Sequence, residues 1–133
     1  MKRYLADTHA WLWFMGGESR RLGARARRAF AGLTTGRSAV AMSTISLWEV
    51  SLLHDEGKIQ LRRGFLAWCD AVEAHPGIAI EPLVRADIEE ARSLRGVGDP
   101  MDRLIAGTAL RLGVSLITAD GRLAADRRVR TVW

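Results

Sequence analysis

The sequence predicts an α/β fold with a mostly parallel central sheet of about four to five strands sandwiched by helices. The first observation is that short apolar runs alternate with longer helical segments, because parallel strands are buried on both faces and need long crossover connections. The second is the length of 133 residues, which makes residues 1–133 a single domain. The third is the composition, since 48% hydrophobic and 26% charged residues exclude a disordered or low-complexity chain.

The first part of the chain predicts two strands, each followed by a helix. The apolar run 4–6 stops abruptly at an acidic residue, as a buried strand does. Helix 8–15 ends at a pair of glycines, which readily adopt the conformations that terminate helices. Strand 40–42 leads to Ser43 or Thr44, and either residue is a suitable N-cap for the next helix. Between these units we predict a basic helix over 20–30 and a loop over 34–36.

The rest of the chain continues the alternation of strands and helices, which are bounded by glycine and proline. The further predicted strands are 78–80, 114–118 and 129–133, and the further predicted helices are 44–56, 62–75, 85–95, 100–112 and 121–126. In a parallel sheet of this kind, ligands bind beyond the carboxyl ends of the strands. Acidic residues there are therefore the first candidates for a functional site.

Two aspartates follow predicted strands directly. Asp7 comes after the first strand, and Asp120 comes after the strand 114–118. Both side chains are therefore expected at the carboxyl edge of the sheet. Aspartate at a strand-to-helix junction is also an ordinary N-cap, so each residue alone has a structural explanation.

Glu49 is harder to explain structurally. It shares a face of its helix with Ile45, Leu52 and Leu53, at spacings of −4, +3 and +4. An ionised glutamate on an inward face is costly unless it is paired or binds a cation, and the helix carries no lysine or arginine. The alternative is that the long side chain reaches solvent from the edge of the apolar face.

The segment Asp99-Pro100-Met101-Asp102 holds the densest group of acids. Asp99 suits the N-cap, Pro100 the first helical position and Asp102 the third position, where an acid reaches back toward the cap. Capping fully explains Asp99 but only half explains Asp102, which also heads an apolar face and should lean toward the sheet. A purely structural role for Asp102, or for Arg103 as the partner of a neighbouring acid, remains the alternative.

Together these acids predict a metal site. Carboxylates at ~4 Å repel one another by about 4 kcal/mol per pair at an effective dielectric constant of ~20, and cations relieve that repulsion. Oxygen ligands without cysteine select hard cations such as Mg²⁺ or Mn²⁺. The four proposed ligands are Asp7, Glu49, Asp102 and Asp120. An acidic, metal-binding pocket in a basic protein suits the cleavage of phosphodiester bonds.

Charge and composition restrict the partners and the compartment. The net charge of +5 favours a polyanionic or acidic partner, although an arginine-rich genome would give the same composition. The single cysteine, Cys69, excludes an internal disulfide framework and a cysteine-based zinc site. No uncharged run approaches the ~20 residues of a membrane span, and no signal-peptide core follows the N-terminus. We therefore expect a cytoplasmic protein that does not associate with membranes.

Four segments of the chain resemble the acidic blocks of PIN-domain ribonucleases, and more narrowly those of the VapC-type toxins of bacterial toxin–antitoxin pairs. The segments are 4–10, 46–49, 98–106 and 116–120, and they occur in the family's order over nearly the whole chain. The resemblance implies a parallel sheet between helices, RNA cleavage that depends on Mg²⁺ or Mn²⁺, a homodimer, and inhibition by a small cognate antitoxin.

The resemblance also assigns roles to individual residues. The family's acids fall on Asp7, Glu49, Asp102 and Asp120, and the hydroxyl that precedes the last acid falls on Thr118. We expect the aspartates to bind the metal directly or through water, Glu49 to orient or deprotonate the attacking water, and Thr118 to hydrogen-bond a ligand carboxylate or the phosphate. Many relatives carry a further acid after the last one, whereas this chain has Gly121-Arg122, which weakens the case for a second metal.

Other functions and other roles remain open at this stage. A non-catalytic RNA- or protein-binding module would keep the acids only as helix caps, and a phosphatase or phospho-receiver would need acid and lysine positions that this chain lacks. The tryptophans are either core residues or part of a partner groove or base-stacking surface. The arginines at 20, 21, 25, 27 and 28 form either a solvated helix face or a clamp for RNA or the antitoxin.

Overall fold

The computed structural model describes all of residues 1–133. The strands are β1 (Lys2–Ala6), β2 (Ser38–Ser43), β3 (Ile78–Glu81), β4 (Ser115–Ile117) and β5 (Thr131–Val132). The helices are α1 (Thr8–Met15), α2 (Ala24–Thr35), α3 (Thr44–Asp55), α4 (Phe65–Ala74), α5 (Arg85–Ser93) and α6 (Pro100–Leu112). All strand pairs are parallel and the order is β3-β2-β1-β4-β5, which confirms the predicted fold class.

Helices cover both faces of the sheet and enclose two apolar clusters. On one face, residues of α1 and α2 pack around the buried side chains of Trp11 and Phe30. On the other face, α6 and the segment that follows α5 pack around Leu94 and Ile105. Successive residues of β1 contribute to opposite clusters, because side chains alternate along a strand. Burial on both faces explains why the strands are continuous apolar runs rather than alternating ones.

The basic helix differs from its prediction at both ends. It begins at Ala24 rather than at residue 20, and residues Ser19–Arg21 form a separate 3-10 helix. Gly23 marks the break, because a Cβ there would lie 2.4 Å from the carbonyl carbon of Trp133. The helix then continues through Thr35, where a loop was predicted, and ends at Gly36 with φ 72°. The close approach of Trp133 is a tertiary contact that local sequence does not reveal.

The other boundaries follow the prediction more closely. α6 spans the predicted residues and ends at Gly113, which adopts the left-handed conformation with φ 66°. α4 begins at Phe65 rather than at residue 62, since Gly64 with φ 86° precedes it. A second 3-10 helix covers Gly121–Ala125 in place of a short α-helix. None of the helices combines the length and the apolar character that a membrane span requires.

Candidate metal and nuclease site

The carboxyl edge of the sheet brings Asp7 and Asp120 together, as predicted. β1 and β4 are neighbours, with Ala6 opposite Ile117, so the chain leaves both strands at the same level. The backbone N–H of Asp7 donates to the carbonyl of Ile117 at 3.0 Å. The two aspartates therefore follow adjacent strand ends, although more than a hundred residues separate them in the sequence.

Asp7 caps α1, as one of the two interpretations from the sequence predicts, and it lies at the carboxyl edge of the sheet. One carboxylate oxygen accepts from the backbone N–H of Ala10 at 2.9 Å and caps α1. The other accepts from the hydroxyl of Thr118, whose oxygen in turn accepts from the backbone N–H of Asp120 at 3.0 Å. Burial raises the pKa of Asp7, and the hydrogen bond from Thr118 partly opposes that rise. Thr118 thus connects the first and the last acid of the site.

Glu49 points into the protein rather than out to solvent. The hydroxyl of Thr8 donates to its Oε1 at 2.7 Å, and Thr8 is itself only 3% exposed and 3.0 Å from the hydroxyl of Ser46. Burial raises the pKa of Glu49, and the negative charges of Asp99 and Asp7 raise it further. Glu49 is turned inward as predicted, but the helix face used to infer this is wrong: the buried residues of α3 are Ser46 and Val50, and Leu52 is exposed.

Asp99 and Asp102 have different environments. Asp99 caps α6, because its carboxylate accepts from the backbone N–H of Asp102 at 3.0 Å, and Pro100 occupies the first helical turn. The carboxylate of Asp102 accepts no hydrogen bond, so the predicted reach back to the cap is not formed. Burial raises the pKa of Asp102 to about 6, and the charges of the neighbouring acids contribute to the rise, in the order Asp99, Glu49, Asp7 and Asp120.

Asp120 is paired with Arg122. The guanidinium donates to both carboxylate oxygens, at 3.0 Å from Nε and 2.9 Å from Nη2, and the backbone N–H of Arg122 donates at 3.0 Å. These hydrogen bonds lower the pKa of Asp120. The same residue caps the second 3-10 helix, so its capping role is also present.

The donor set fits a hard divalent cation in chemistry, but its members are not gathered into one shell. All four side chains offer carboxylate oxygens. The negative charges of the other three acids raise the pKa of Asp102, so all of them lie near it. However, no three acidic, histidine or cysteine side chains lie close enough to surround one ion. Arg122 holds Asp120, and hydroxyl groups hold Asp7 and Glu49. For all four carboxylates to surround one ion, the Asp120 carboxylate would have to break its ion pair with Arg122 and turn toward the other acids.

Several residues near the site escaped the sequence interpretation. His9 is exposed on α1 and lies close enough to lower the pKa of both Asp7 and Glu49. Its ring lies 5.9 Å from that of Trp13, one helical turn further along. The i, i+4 spacing of the two rings was the available signal. Arg122 was noted as a departure from relatives, but its pairing with Asp120 was not foreseen.

The fold and the acids identify the class of protein. The sequence profile of the PIN domain matches residues 4–127, so the chain belongs to the PIN-domain family. Among its relatives is Ribonuclease VapC22 of Mycobacterium tuberculosis (strain ATCC 25618 / H37Rv), which is 34% identical over 136 residues that span 100% of both chains.

Solved structures support the same architecture. The structure of VapBC2 from Rickettsia felis, bound to a DNA fragment from their promoter, matches with a TM-score of 0.72 at 14% identity, over 98% of this chain and 97% of that one. FitAcB from Neisseria gonorrhoeae matches with a TM-score of 0.68 at 16% identity, over 98% and 96% of the two chains. At these identities the likeness concerns the fold.

Proposed function

We propose that this protein is a metal-dependent endoribonuclease and the toxin of a VapC-type toxin–antitoxin pair. The observation that carries the proposal is the environment of Asp102, whose carboxylate makes no hydrogen bond and lies in the combined field of the other acids. A carboxylate held in that way is stabilised when a cation binds beside it. Membership of the PIN-domain family and the likeness to a protein named as a ribonuclease support the same conclusion.

The proposed chemistry assigns a task to each acid. Asp7, Asp102 and Asp120 would hold Mg²⁺ or Mn²⁺, directly or through water, with Glu49 completing the set. When bound, the cation supplies positive charge that polarises the scissile phosphate and makes water a better nucleophile at neutral pH. Glu49 orients the attacking water and accepts its proton, since its raised pKa brings it closer to the working pH.

The hydroxyl groups of the site hold its carboxylates in place. Thr118 donates to Asp7 and Thr8 donates to Glu49, so each acid keeps one oxygen fixed. A fixed orientation reduces the reorganisation that the reaction requires. Because the single hydroxyl proton of Thr118 is donated to Asp7, we assign Thr118 to positioning that carboxylate rather than the phosphate.

A second candidate function has an observation in its favour. Asp7, Asp99 and Asp120 all cap helices, which is what a non-catalytic RNA- or protein-binding module would retain. Asp102 and Glu49 distinguish the two candidates, because neither caps a helix and both are placed where burial disfavours their charge. A module that only binds RNA or protein would not require these two half-buried carboxylates.

Cleavage of RNA with and without a chelator separates the two candidates. We expect the purified protein to cleave structured RNAs in Mg²⁺ or Mn²⁺, to lose the activity in EDTA, and to regain it when excess metal is restored. The melting temperature should also rise with either metal, because ligands that bind only the folded state stabilise it. RNA binding without cleavage at any metal concentration would favour the binding module.

Arg122 is expected to compete with the metal for Asp120. In the variant Arg122→Gln, we predict metal binding that is about 1.5- to fivefold tighter, because the exposed ion pair between Arg122 and Asp120 no longer has to open. The measurement is a titration with Mn²⁺ followed by electron paramagnetic resonance. Arg128→Gln is the matched control, since Arg128 makes the same contacts with Asp126 away from the acid cluster. Equal affinities in the wild type and both variants would contradict the prediction.

The partners are proposed from the relatives. Complexes of the VapBC type are among the solved structures with this fold, and we propose that this chain likewise binds a small cognate antitoxin and forms a homodimer in the cytoplasm. An upstream reading frame that encodes a small DNA-binding protein, and co-purification of its product with this chain, would test the antitoxin assignment.

A further inference from the structure

Arg122 is the one arginine or lysine that pairs with an acid of the proposed metal site. Its guanidinium donates to both carboxylate oxygens of Asp120, at 3.0 Å from Nε and 2.9 Å from Nη2. No lysine or arginine forms an ion pair with the other three proposed ligands. Arg103 points elsewhere, because its guanidinium donates to the backbone carbonyl of Ala91 at 3.2 and 3.0 Å. Arg122 is therefore the only guanidinium held at the acids.

A second Asp-x-Arg segment shows what is particular about Arg122. Asp126 and Arg128 repeat the local geometry, with donors at 3.0 Å from the backbone N–H, 3.1 Å from Nε and 2.9 Å from Nη2. Arg128 is also attached to α5, because it donates to the hydroxyl of Ser93 at 3.0 Å and lies 3.8 Å from the carboxylate of Glu90. The side chain of Arg122 is 82% exposed and contacts its aspartate alone. Its guanidinium can leave that carboxylate without breaking any other contact.

The charge of the acids makes a second kind of cation necessary for phosphate binding. The four proposed ligands carry four negative charges when ionised, and one divalent cation neutralises two of them. A phosphodiester adds another negative charge to a site that is still anionic, and like charges at short distance repel one another. The pKa of Arg122 is raised by its hydrogen bonds to Asp120. The charges of Asp102 and Asp99 raise it further, so the guanidinium lies within the field of these acids.

We propose that Arg122 exchanges its partner when RNA binds, leaving the carboxylate of Asp120 and donating to a non-bridging oxygen of the scissile phosphate. This role rests on the function proposed above and adds a phosphate-binding residue to it. The two partners are chemically matched, because the planar guanidinium fork binds carboxylates and phosphates in the same bidentate manner. The exchange also frees the Asp120 carboxylate for its role as a metal ligand.

The exchange needs no change in the backbone. Asp120 accepts from the backbone N–H of Arg122 at 3.0 Å and caps the 3-10 helix Gly121–Ala125, and this hydrogen bond does not involve the arginine side chain. Substitution of Arg122 therefore tests phosphate binding and not folding. In its new position the guanidinium would stabilise the negative charge that develops on the phosphate oxygens during cleavage.

Binding in EDTA tests the exchange without metal and without cleavage. The probe is a fluorescent oligouridylate hexamer, and the variants are Arg122→Gln, Asp120→Asn and the double variant. Asparagine lacks the charge that holds the guanidinium, so Arg122 should be free for phosphate in Asp120→Asn but paired in the wild type. We expect Arg122→Gln to weaken binding about tenfold in the Asp120→Asn background and less than about twofold in the wild-type background.

The difference between the two backgrounds is the decisive quantity. Long-range attraction by one positive charge would be lost equally in both, whereas an exchange of partners makes the two losses unequal. The matched control is the same cycle with Asp126→Asn and Arg128→Gln, which should show equal losses in both backgrounds. Equal losses in the Asp120 and Arg122 cycle would overturn the exchange.

Cleavage kinetics test the same role with metal present. In saturating Mg²⁺ we expect Arg122→Gln to lower kcat/KM about ten- to hundredfold, although the same variant should bind metal more tightly. Arg122→Lys should recover only part of the loss, because an ammonium group lacks the bidentate fork. Arg128→Gln should cleave like the wild type. An arginine that only competes with the metal predicts the opposite, namely wild-type cleavage by Arg122→Gln in saturating metal and faster cleavage in limiting metal.

The two experiments distinguish failure of the exchange from failure of the proposed function. If the protein cleaves RNA and Arg122→Gln cleaves as well as the wild type in saturating Mg²⁺, the exchange is wrong and the proposed function stands. If no metal supports cleavage but the binding cycle in EDTA shows unequal losses, Arg122 binds phosphate and the nuclease function is wrong.

Discussion

Replacement of Asp102 by asparagine is expected to abolish RNA cleavage while leaving the protein at least as stable as the wild type. The variant keeps the shape of the side chain but removes the charge that a divalent cation would neutralise. We predict a loss of at least about a hundredfold in cleavage, because loss of even an outer partner of a metal ligand costs about 10–100-fold. The assay is the rate of RNA cleavage in saturating Mg²⁺.

The stability of this variant follows from the direction of the pKa shift. The pKa of Asp102 is raised to about 6 in the folded protein, so the native state binds more protons than the unfolded state near that pH. The ionised carboxylate therefore destabilises the metal-free protein above about pH 6, and the penalty disappears as the pH falls toward the ordinary pKa. After a discount for partial exposure, the penalty is about 1 kcal/mol, or about 3 °C in melting temperature.

Thermal unfolding in EDTA at about pH 7.5 and about pH 5 provides the check. We expect the wild type to gain melting temperature on acidification relative to Asp102→Asn, which should already be more stable at the higher pH. Asp70→Asn, at an exposed position of α4, is the control and should behave like the wild type. A variant that melts well below the wild type would show that Asp102 is structural, and one that cleaves RNA normally would remove it from the site.

The positions of the acids could be predicted because a few local rules determine them. Asp7 and Asp120 each follow an apolar strand, and parallel strands place their carboxyl ends at one edge. Asp102 was identified by its place at the head of the apolar face of α6, which is buried. The same argument for Glu49 used a face that includes the exposed Leu52, so it gave the right orientation from the wrong residues. These rules use only the spacing of apolar residues and the residues that directly follow each strand. They therefore predict the order of the elements and the parallel sheet correctly.

The interactions between the elements could not be predicted in the same way. The hydrogen bond from Thr8 to Glu49 joins residues of α1 and α3, and the start of α2 depends on Trp133 at the far end of the chain. The basic residues that line the cavities at the amino edge of the sheet show the same limit. Arg25 and Arg28 could be assigned to one helix from their spacing, but Lys2 and Arg37 join them only through the order of the strands.

A buried ion pair on the far side of the sheet also went unrecognised. Asp87 of α5 is fully buried, and its carboxylate accepts from the guanidinium of Arg111 and from the backbone N–H of Val84 at 3.0 Å. Arg111 belongs to α6 and also pairs with Glu81, at the end of β3, at 2.6 Å. The three residues therefore join β3, α5 and α6. Each of them looks like an ordinary surface charge in the sequence.

Replacement of Asp87 by alanine is expected to give the largest loss of stability of any single change considered for this protein. Removal of one partner of a buried pair typically costs about 3–5 kcal/mol, because the remaining charge stays partly buried. For a chain of this size that corresponds to a fall of about 10 °C or more in melting temperature. The measurement is thermal or urea unfolding, with Glu89→Ala as control, since the Arg85–Glu89 pair is exposed and should contribute less than about 1 kcal/mol.

Asp87→Asn separates the charge from the cap, because asparagine can still accept from the backbone N–H of Val84. An intermediate loss in this variant would assign the remainder to the pair with Arg111, and a loss as small as that of Glu89→Ala would show that the pair does not stabilise the fold. The result bears on the site because Arg111 anchors the end of α6 whose beginning carries Asp102. Below the melting transition, a loosened α6 should reduce cleavage in the Asp87 variants while leaving the carboxylates themselves intact.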